Sequence, residues 1–296
     1  MISPMKKVFT ILLFCGVAYG AYRFCHKQTA GFALGKIQSE MKPEKRWELA
    51  PLSDDEKSFV KTILSQRFSY LGKGAQCYVF ASEDGSAVIK FFRISHLEIP
   101  FWFQKMPLPS GLEGWRREKI ALKESKKEKD FTSYKLAFEN LRDETGLLYV
   151  HLNKSDDLRQ KITLIDKIGI AHELDLDNLQ FILQKRATPF YAAISEMITH
   201  HEIEKMKGAL AELIRLFSKR RALGLFDKDP DLKTNFGLIA GHPVQFDIGR
   251  FKKEEMRKKD EPLHEELIRI TDTFKKWLEK REPSLAEYLE EKINEA

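Results

Sequence analysis

Between Arg67 and Ile94 the chain reads RFSYLGKGAQCYVFASEDGSAVIKFFRI, a run rich in aromatic and β-branched residues. Gly72 and Gly74 stand near one end and the turn signal EDGS in the middle, which predicts two or three antiparallel strands with a hairpin turn at Asp84-Gly85. Strand-like runs recur at GLLYVHL, ITLIDKIGIA and LQFILQKRA. A helix is expected from about Asp130 to Asp143, with Phe131, Tyr134, Leu136, Phe138 and Leu141 available for burial. Residues 68–187 thus predict a mostly antiparallel sheet with one main helix.

The sheet region has a helical preface and a helical sequel. Ser53 followed by Asp54, Asp55 and Glu56 is a capping-box start, and Phe59, Ile63 and Phe68 give that helix an apolar face. Between His96 and about Glu128, Pro100, Pro107 and Pro109 break the pattern and RREKIALKESKKEKD follows, an insertion or a highly solvated helix. After Pro189 the period returns to 3.6. Ile203, Met206, Leu210, Leu213, Ile214 and Leu216 form a long amphipathic helix ending near Gly224. Leu263 to Leu278 form another, and Ser284 to Glu287 is a capping box for a last one.

Composition removes several classes of function. At 296 residues and 43% hydrophobic, the chain has ample core for one large or two small domains. Fifty basic against 44 acidic residues give a net charge of +6, densely and almost evenly mixed, without the one-sign face or aromatic-basic module of a nucleic-acid binder. An anionic small molecule or a membrane surface suits this balance better. Cys15, Cys25 and Cys77 build neither a disulfide scaffold nor a paired-Cys zinc site, and His200-His201 lacks the HExxH spacing. The N-terminus carries Lys6-Lys7 and then an uncharged run from Val8 to Tyr22, between a signal-peptide core and a full span in length. A single-pass anchor is expected, with a cleaved signal as the alternative; basic residues flank both sides and leave the orientation open.

The densest chemistry lies in FDKDPDLKTNFGLIAGHPVQFDIGRF, residues 226–251. Asp227, Asp229, Asp231, Asn235 and Asp247 surround a short apolar stretch that reads as a hairpin. Clustered carboxylates repel one another, so a cation is expected among them.

Taken in order, these segments resemble the protein-kinase-like superfamily over residues 68–250. LGKGAQCYVF, with Gly72, Lys73, Gly74 and Val79, is similar to the Gly-rich loop, and AVIK to the third-strand Val-Ala-Ile-Lys. GLFDKDPDLKTN sits where a catalytic loop belongs, and FDIG resembles the metal-binding Asp-Phe-Gly. The resemblance implies a bilobal α+β fold: an N-terminal lobe over 53–188 with a charged insertion at 96–129, and a short helical lobe over 189–296. A membrane or signal segment (1–24) and a linker (25–52) precede them. It implies ATP and Mg2+, with Gly72, Lys73, Gly74, Val79 and Lys90 at the nucleotide and Asn235 and Asp247 at the metal. Asp229 or Asp231 is the catalytic base, and Glu139, or Glu118, is the carboxylate paired with Lys90.

The departures from the family pattern are specific. Cys77 replaces the third glycine and puts a thiol near the nucleotide. Asp229 lies six residues before Asn235 and Asp231 four, where the pattern has five. Only 49 residues follow Asp247, without Ala-Pro-Glu, too few for a full protein-kinase helical lobe. The resemblance is therefore to compact members, the lipopolysaccharide-core and aminoglycoside-type kinases. It implies a membrane-anchored phosphotransferase acting on a hydroxyl acceptor, an envelope glycolipid or a small molecule; the alternative is a pseudokinase serving as a nucleotide-binding or scaffold module.

Overall fold

The computed structural model describes residues 4–227, 230–253 and 262–296. Helix α1 (Pro4–Gln28) is exposed from Val8 to its end, and that segment, Val8–Gln28, with mean hydropathy 1.6, is long and apolar enough to cross a membrane. A signal sequence meets the same criterion. The segment expected to be a linker is packed rather than free: Phe32, Ile37, Trp47 and Leu52 are all buried in the core of the sheet region.

Helix α2 (Asp54–Leu64) begins with the predicted capping box. Ser53 Oγ accepts from the Glu56 amide, and the Glu56 carboxylate accepts from the Ser53 amide. Its buried face is Val60, Ile63 and Leu64, whereas Phe59 is exposed and Phe68 belongs to the next strand.

The first three strands form as the sequence predicts. β1 (Arg67–Lys73), β2 (Cys77–Ser82) and β3 (Ala87–Phe92) pair antiparallel, and Gly85 takes the left-handed conformation (φ 71°) that the β2–β3 turn requires. Short helices α3 (Ile94–Leu97) and α4 (Phe101–Lys105) lead into α5 (Ser110–Asn140) and the single turn α6 (Arg142–Thr145). The helix expected from Asp130 therefore starts at Ser110, and RREKIALKESKKEKD takes the second of its two expected forms, a highly solvated helix continuous with it. Up to Lys129 its described side chains are at most half-buried, and from Asp130 it presents Phe131, Tyr134, Ala137 and Phe138 to the core.

Four more strands complete the sheet: β4 (Leu147–His151), β5 (Lys161–Ile165), β6 (Ala171–Asp175) and β7 (Phe181–Lys185). ITLIDKIGIA, which reads as one strand, folds back on itself, because Asp166 accepts the Ile168 and Ile170 amides across a turn with Gly169 at φ 86°. The order is β4-β7-β3-β2-β1-β5-β6. All pairings are antiparallel except β1 with β5, so the sheet is mixed.

Beyond it, β8 (Thr188–Pro189) leads into α7 (Phe190–Thr199) and α8 (Ile203–Ala222). There follow β9 (Leu225–Asp227), the hairpin β10 (Phe236–Ile239) and β11 (His242–Gln245), β12 (Phe251–Lys253), α9 (Leu263–Glu279) and α10 (Pro283–Asn294). The expected capping box of α10 is absent. Pro283 takes the first helical position, and Ser284 hydrogen-bonds Glu282 instead.

Buried apolar residues gather in two clusters, one under the sheet and α5 and the other among α7–α10 and the β10–β11 hairpin. The protein is thus α+β, with a large mixed sheet and a separate helical core. β8 joins the two by pairing with β10. At that junction a Cβ on Gly237 would lie 2.5 Å from the Thr188 carbonyl oxygen. Gly237→Ala is expected to cost about 1–3 kcal/mol by overpacking against backbone, and Ser53→Ala about 1 kcal/mol by loss of the cap, both read from denaturant midpoints of the detergent-solubilised chain.

Candidate active site

A cleft of about 440 Å³ opens between the sheet and the β10–β11 hairpin. Strand alternation places Val88 and Lys90 of β3 on its wall, while Ile89 and Phe91 turn into the core. Leu71 and Val79 add apolar surface, and the crossing to the helical core, Lys185 to Ala187 and Pro189, forms one edge. Backbone pairing fixes that edge: the Lys185 amide donates to Gly146 O and the Arg186 amide to Ser86 O, each 2.8 Å.

Lys90 is central in the sheet, opposite Val79 on one side and Ile182 on the other. Its ammonium donates to the Phe246 carbonyl at 2.7 Å, one residue before Asp247. Burial pushes the Lys90 ammonium below the usual lysine range; the charge of Asp247 acts in the opposite sense without cancelling it.

The hairpin holds the other polar groups. Ala240 and Gly241, both with positive φ, make its turn. At its open end the Asn235 carbonyl accepts the amides of Phe246 (2.9 Å) and Asp247 (3.2 Å), which fixes these residues as neighbours. The Asn235 side chain is buried and accepts from Thr234 Oγ1, whereas Asp247 is exposed. Beneath them Gln245 donates to the Asp227 carboxylate and accepts from the fully buried Arg220 at 3.0 Å. Arg220 and Arg221 both pair with buried Glu266. These ions keep the hairpin base fixed, and removing one partner would strand the others without water.

The fourth side belongs to α5 and the turn after β1. The Gly74 amide donates to Cys77 O, closing the turn, and Arg93 donates to the carbonyls of Gly74 and Ala75. Gln76 reaches inward, donating to Asp130 Oδ1 (3.1 Å) and to the Gly249 carbonyl (3.4 Å). Asp130 also pairs with His96 at 3.1 Å, yet burial pushes its carboxyl up. Ser133 donates to Ile248 O and accepts the Phe251 amide, so α5 grips the FDIG segment directly. The Cys77 thiol is buried beside Tyr134, and burial pushes it up to about 12, so it stays protonated and unreactive at neutral pH.

Of the residues singled out in the sequence, Gly74, Cys77, Val79, Lys90, Asp227, Asn235 and Asp247 line this one cleft. Gly72 lies in β1, and Lys73 lines a separate depression against the end of α1. Asp231 is exposed, its carboxylate engaged by the Lys233 amide and Thr234 Oγ1. Asp229 lies outside the described residues. Glu139 is near the far end of α5, 3.8 Å from Lys135, and Glu118 is exposed before the buried part of that helix; neither lines the cleft. There α5 presents Tyr134 instead.

The sequence reading also missed Gln76 and Gln184. Gln184 is buried, donates to Thr145 O at 2.5 Å, and leaves Oε1 without a hydrogen-bond partner among the described residues. An uncharged glutamine, in the β1–β2 turn or in β7, gives no sequence signal of that kind.

Among the described residues no three His, Cys, Asp or Glu side chains form a metal set. Asn235 and Asp247 nevertheless supply two hard oxygen donors from one hairpin, the chemistry of a magnesium ion that keeps its remaining positions for water and phosphate.

No protein-family model matches this chain, and no curated protein matches its sequence significantly. Among solved structures it is similar to WbdD at high resolution, with 12% identity over 78% of this chain and 45% of that one and a TM-score of 0.33. It is similar also to the bifunctional kinase-methyltransferase WbdD at medium resolution (13% identity, 71% and 37% covered, TM-score 0.31). A third is Rv3197 from Mycobacterium tuberculosis in complex with erythromycin (17%, 97% and 75%, TM-score 0.30). The chain spans less than half the length of the WbdD chains it matches. At these TM-scores the likenesses carry no weight for what the cleft binds.

A Cβ on Gly249 would fall 2.1 Å from Gln76 Oε1. Gly249→Ala should push the flexible Gln76 amide aside and cost about 1 kcal/mol through its lost hydrogen bonds to Asp130 and the Gly249 carbonyl, a cost that should be absent in a Gln76→Ala background. A double-mutant cycle by chemical denaturation checks the non-additivity.

Proposed function

We propose that this chain is a membrane-anchored phosphotransferase that moves the terminal phosphoryl group of a nucleoside triphosphate, ATP with Mg2+, onto a hydroxyl acceptor. The observation that carries the reading is the 2.7 Å contact from Lys90 to the Phe246 carbonyl. It brings a sheet-borne cation within one residue of Asp247, on the hairpin that also holds Asn235.

In this reading the base lies between Leu71, Val79 and Val88, and the phosphates lie against Lys90 and the backbone of Gly74 to Gln76. Asn235 and Asp247 would hold magnesium, which when bound neutralises charge on the phosphate oxygens. The acceptor oxygen forms a bond to phosphorus as the bond to the nucleoside diphosphate breaks, and the hydroxyl proton passes to an aspartate. Asp231 spends its carboxylate on Lys233 and Thr234, which favours Asp229 as that base. With α1 as a single-pass anchor, an envelope glycolipid is a reachable acceptor; a signal sequence remains the alternative for α1.

A second reading, a nucleotide-binding scaffold without transfer, is favoured by two observations. Gln76 occupies the space between Asp130 and Gly249, and among the described residues α5 lines the cleft with Tyr134 and with no carboxylate that could pair with Lys90. Phosphate transfer to membrane extract separates the two readings.

Binding itself is tested by thermal shift. ATP with magnesium should stabilise the wild type, by about 2.7 kcal/mol at a hundredfold excess over Kd, and should leave Lys90→Ala and Asp247→Ala unmoved. No shift at millimolar nucleotide sinks the proposal. Because burial holds Lys90 below its ordinary 10.5, its charge is lost early as pH rises. Nucleotide affinity should therefore fall on the alkaline side before pH 10.5, and Lys90→Arg should flatten that limb if it binds.

A further inference from the structure

The half of α5 that precedes Asp130 carries seven basic and four acidic residues over positions 110–129. A helix serving only as a solvated face has no use for Leu112, Trp115 and Leu122, which share one stripe and are each nearly half exposed (46–47%). Trp102 of α4, 65% exposed, extends the same surface through Phe103, whose ring meets Trp102 at 5.9 Å and Trp115 at 5.7 Å. Lys119 lies 6.0 Å from the Trp115 ring. Exposed indoles among lysines and arginines match the headgroup level of a bilayer, where the rings take the apolar side and the cations the anionic one.

A second observation joins this surface to α1. The end of α1 is held to the sheet: Tyr78 and Lys36 both donate to the Gly31 carbonyl (2.7 and 2.6 Å), and Phe32 is buried against Tyr78 and Phe80. Arg23, His26, Lys27 and Lys73 line the depression at this junction. Burial, then the charges of Arg93 and Lys73, push Lys36 below the usual lysine range. Burial, then Lys126 and Arg93, do the same to Lys123 of α5. Arg93 lies 5.7 Å over the ring of Tyr78, the residue that holds Gly31, and Lys123 of α5 donates to the carbonyls of Ser95 and His96 just beyond it, so the foot of α1 and the middle of α5 meet the same stretch of chain.

We propose that α4 and the first half of α5 lie on the surface of the bilayer that α1 enters, with Trp102 and Trp115 at headgroup level and the flanking cations on anionic phospholipid. The proposal rests on α1 being a membrane span. In this arrangement the Gly-rich turn, through Lys73 and Arg93, faces the membrane, and an acceptor confined to the bilayer needs to travel little to reach the cleft.

The full chain is reconstituted into phosphatidylcholine vesicles with and without phosphatidylglycerol, some with brominated acyl chains. Trp47 is buried, Trp277 packs in the second core, and α1 contains no tryptophan, so lipid quenching reads mainly positions 102 and 115. Bromolipid should quench the wild type, more strongly with phosphatidylglycerol present. The double variant Trp102→Phe, Trp115→Phe should lose that quenching while still floating with the vesicles. Unquenched wild-type fluorescence, as when a protein partner covers the stripe, overturns the proposal, and so does equal quenching of the double variant. Failure of the wild type to float sinks the span reading itself, and the proposal with it.

Discussion

The hydrogen bond from Lys90 to the Phe246 carbonyl ties the sheet to the hairpin, and the character of the cleft depends on it. A half-buried ammonium needs an acceptor or a counter-charge. It finds a main-chain oxygen beside one carboxylate, and burial still depresses its pKa. That is a cation held short of full compensation, with room in its field for an anion. On the other side of the contact, buried Arg220, Gln245 and Glu266, with half-buried Asp227, keep the hairpin from relaxing away. Rigid support on both sides lets Asn235 and Asp247 stay adjacent although their sequence separation is twelve.

Sequence carried the parts of this arrangement that rest on local chemistry. β1–β3 and β10–β11 were legible because alternation and left-handed turn residues coincide, and Lys90, Asn235 and Asp247 were legible because order along the chain survives folding into one cleft. Three features were not. The charged first half of α5 shows only an interrupted apolar stripe, since its exposed apolar residues serve no protein core, so the sequence left it open between an insertion and a solvated helix and did not show that it is continuous with the helix from Asp130. Ile168 and Ile170, both about half exposed, disguised the β5–β6 turn as continuous strand. The partner of Lys90 could not be read at all: it is the Phe246 main-chain carbonyl, which carries no side-chain signal, while α5 lines the cleft with Tyr134 and leaves Glu139 beside Lys135.

The glycine-rich turn acquires two faces in this account. Gly74 and Gln76 look into the cleft, while Lys73 looks toward the end of α1. Arg93 touches both, donating to the turn's carbonyls and adding its charge to the cluster by the end of α1.

The central claim is that Asn235 and Asp247 hold a divalent cation only together with nucleotide. Electron paramagnetic resonance of Mn2+ in place of Mg2+, with 17O-labelled ATP, reads this directly. The account predicts a protein-bound Mn2+ signal that requires nucleotide, is broadened by the labelled phosphate, and is lost in Asn235→Ala and Asp247→Ala. Bound Mn2+ that ignores nucleotide, or that persists unchanged in both variants, would contradict it.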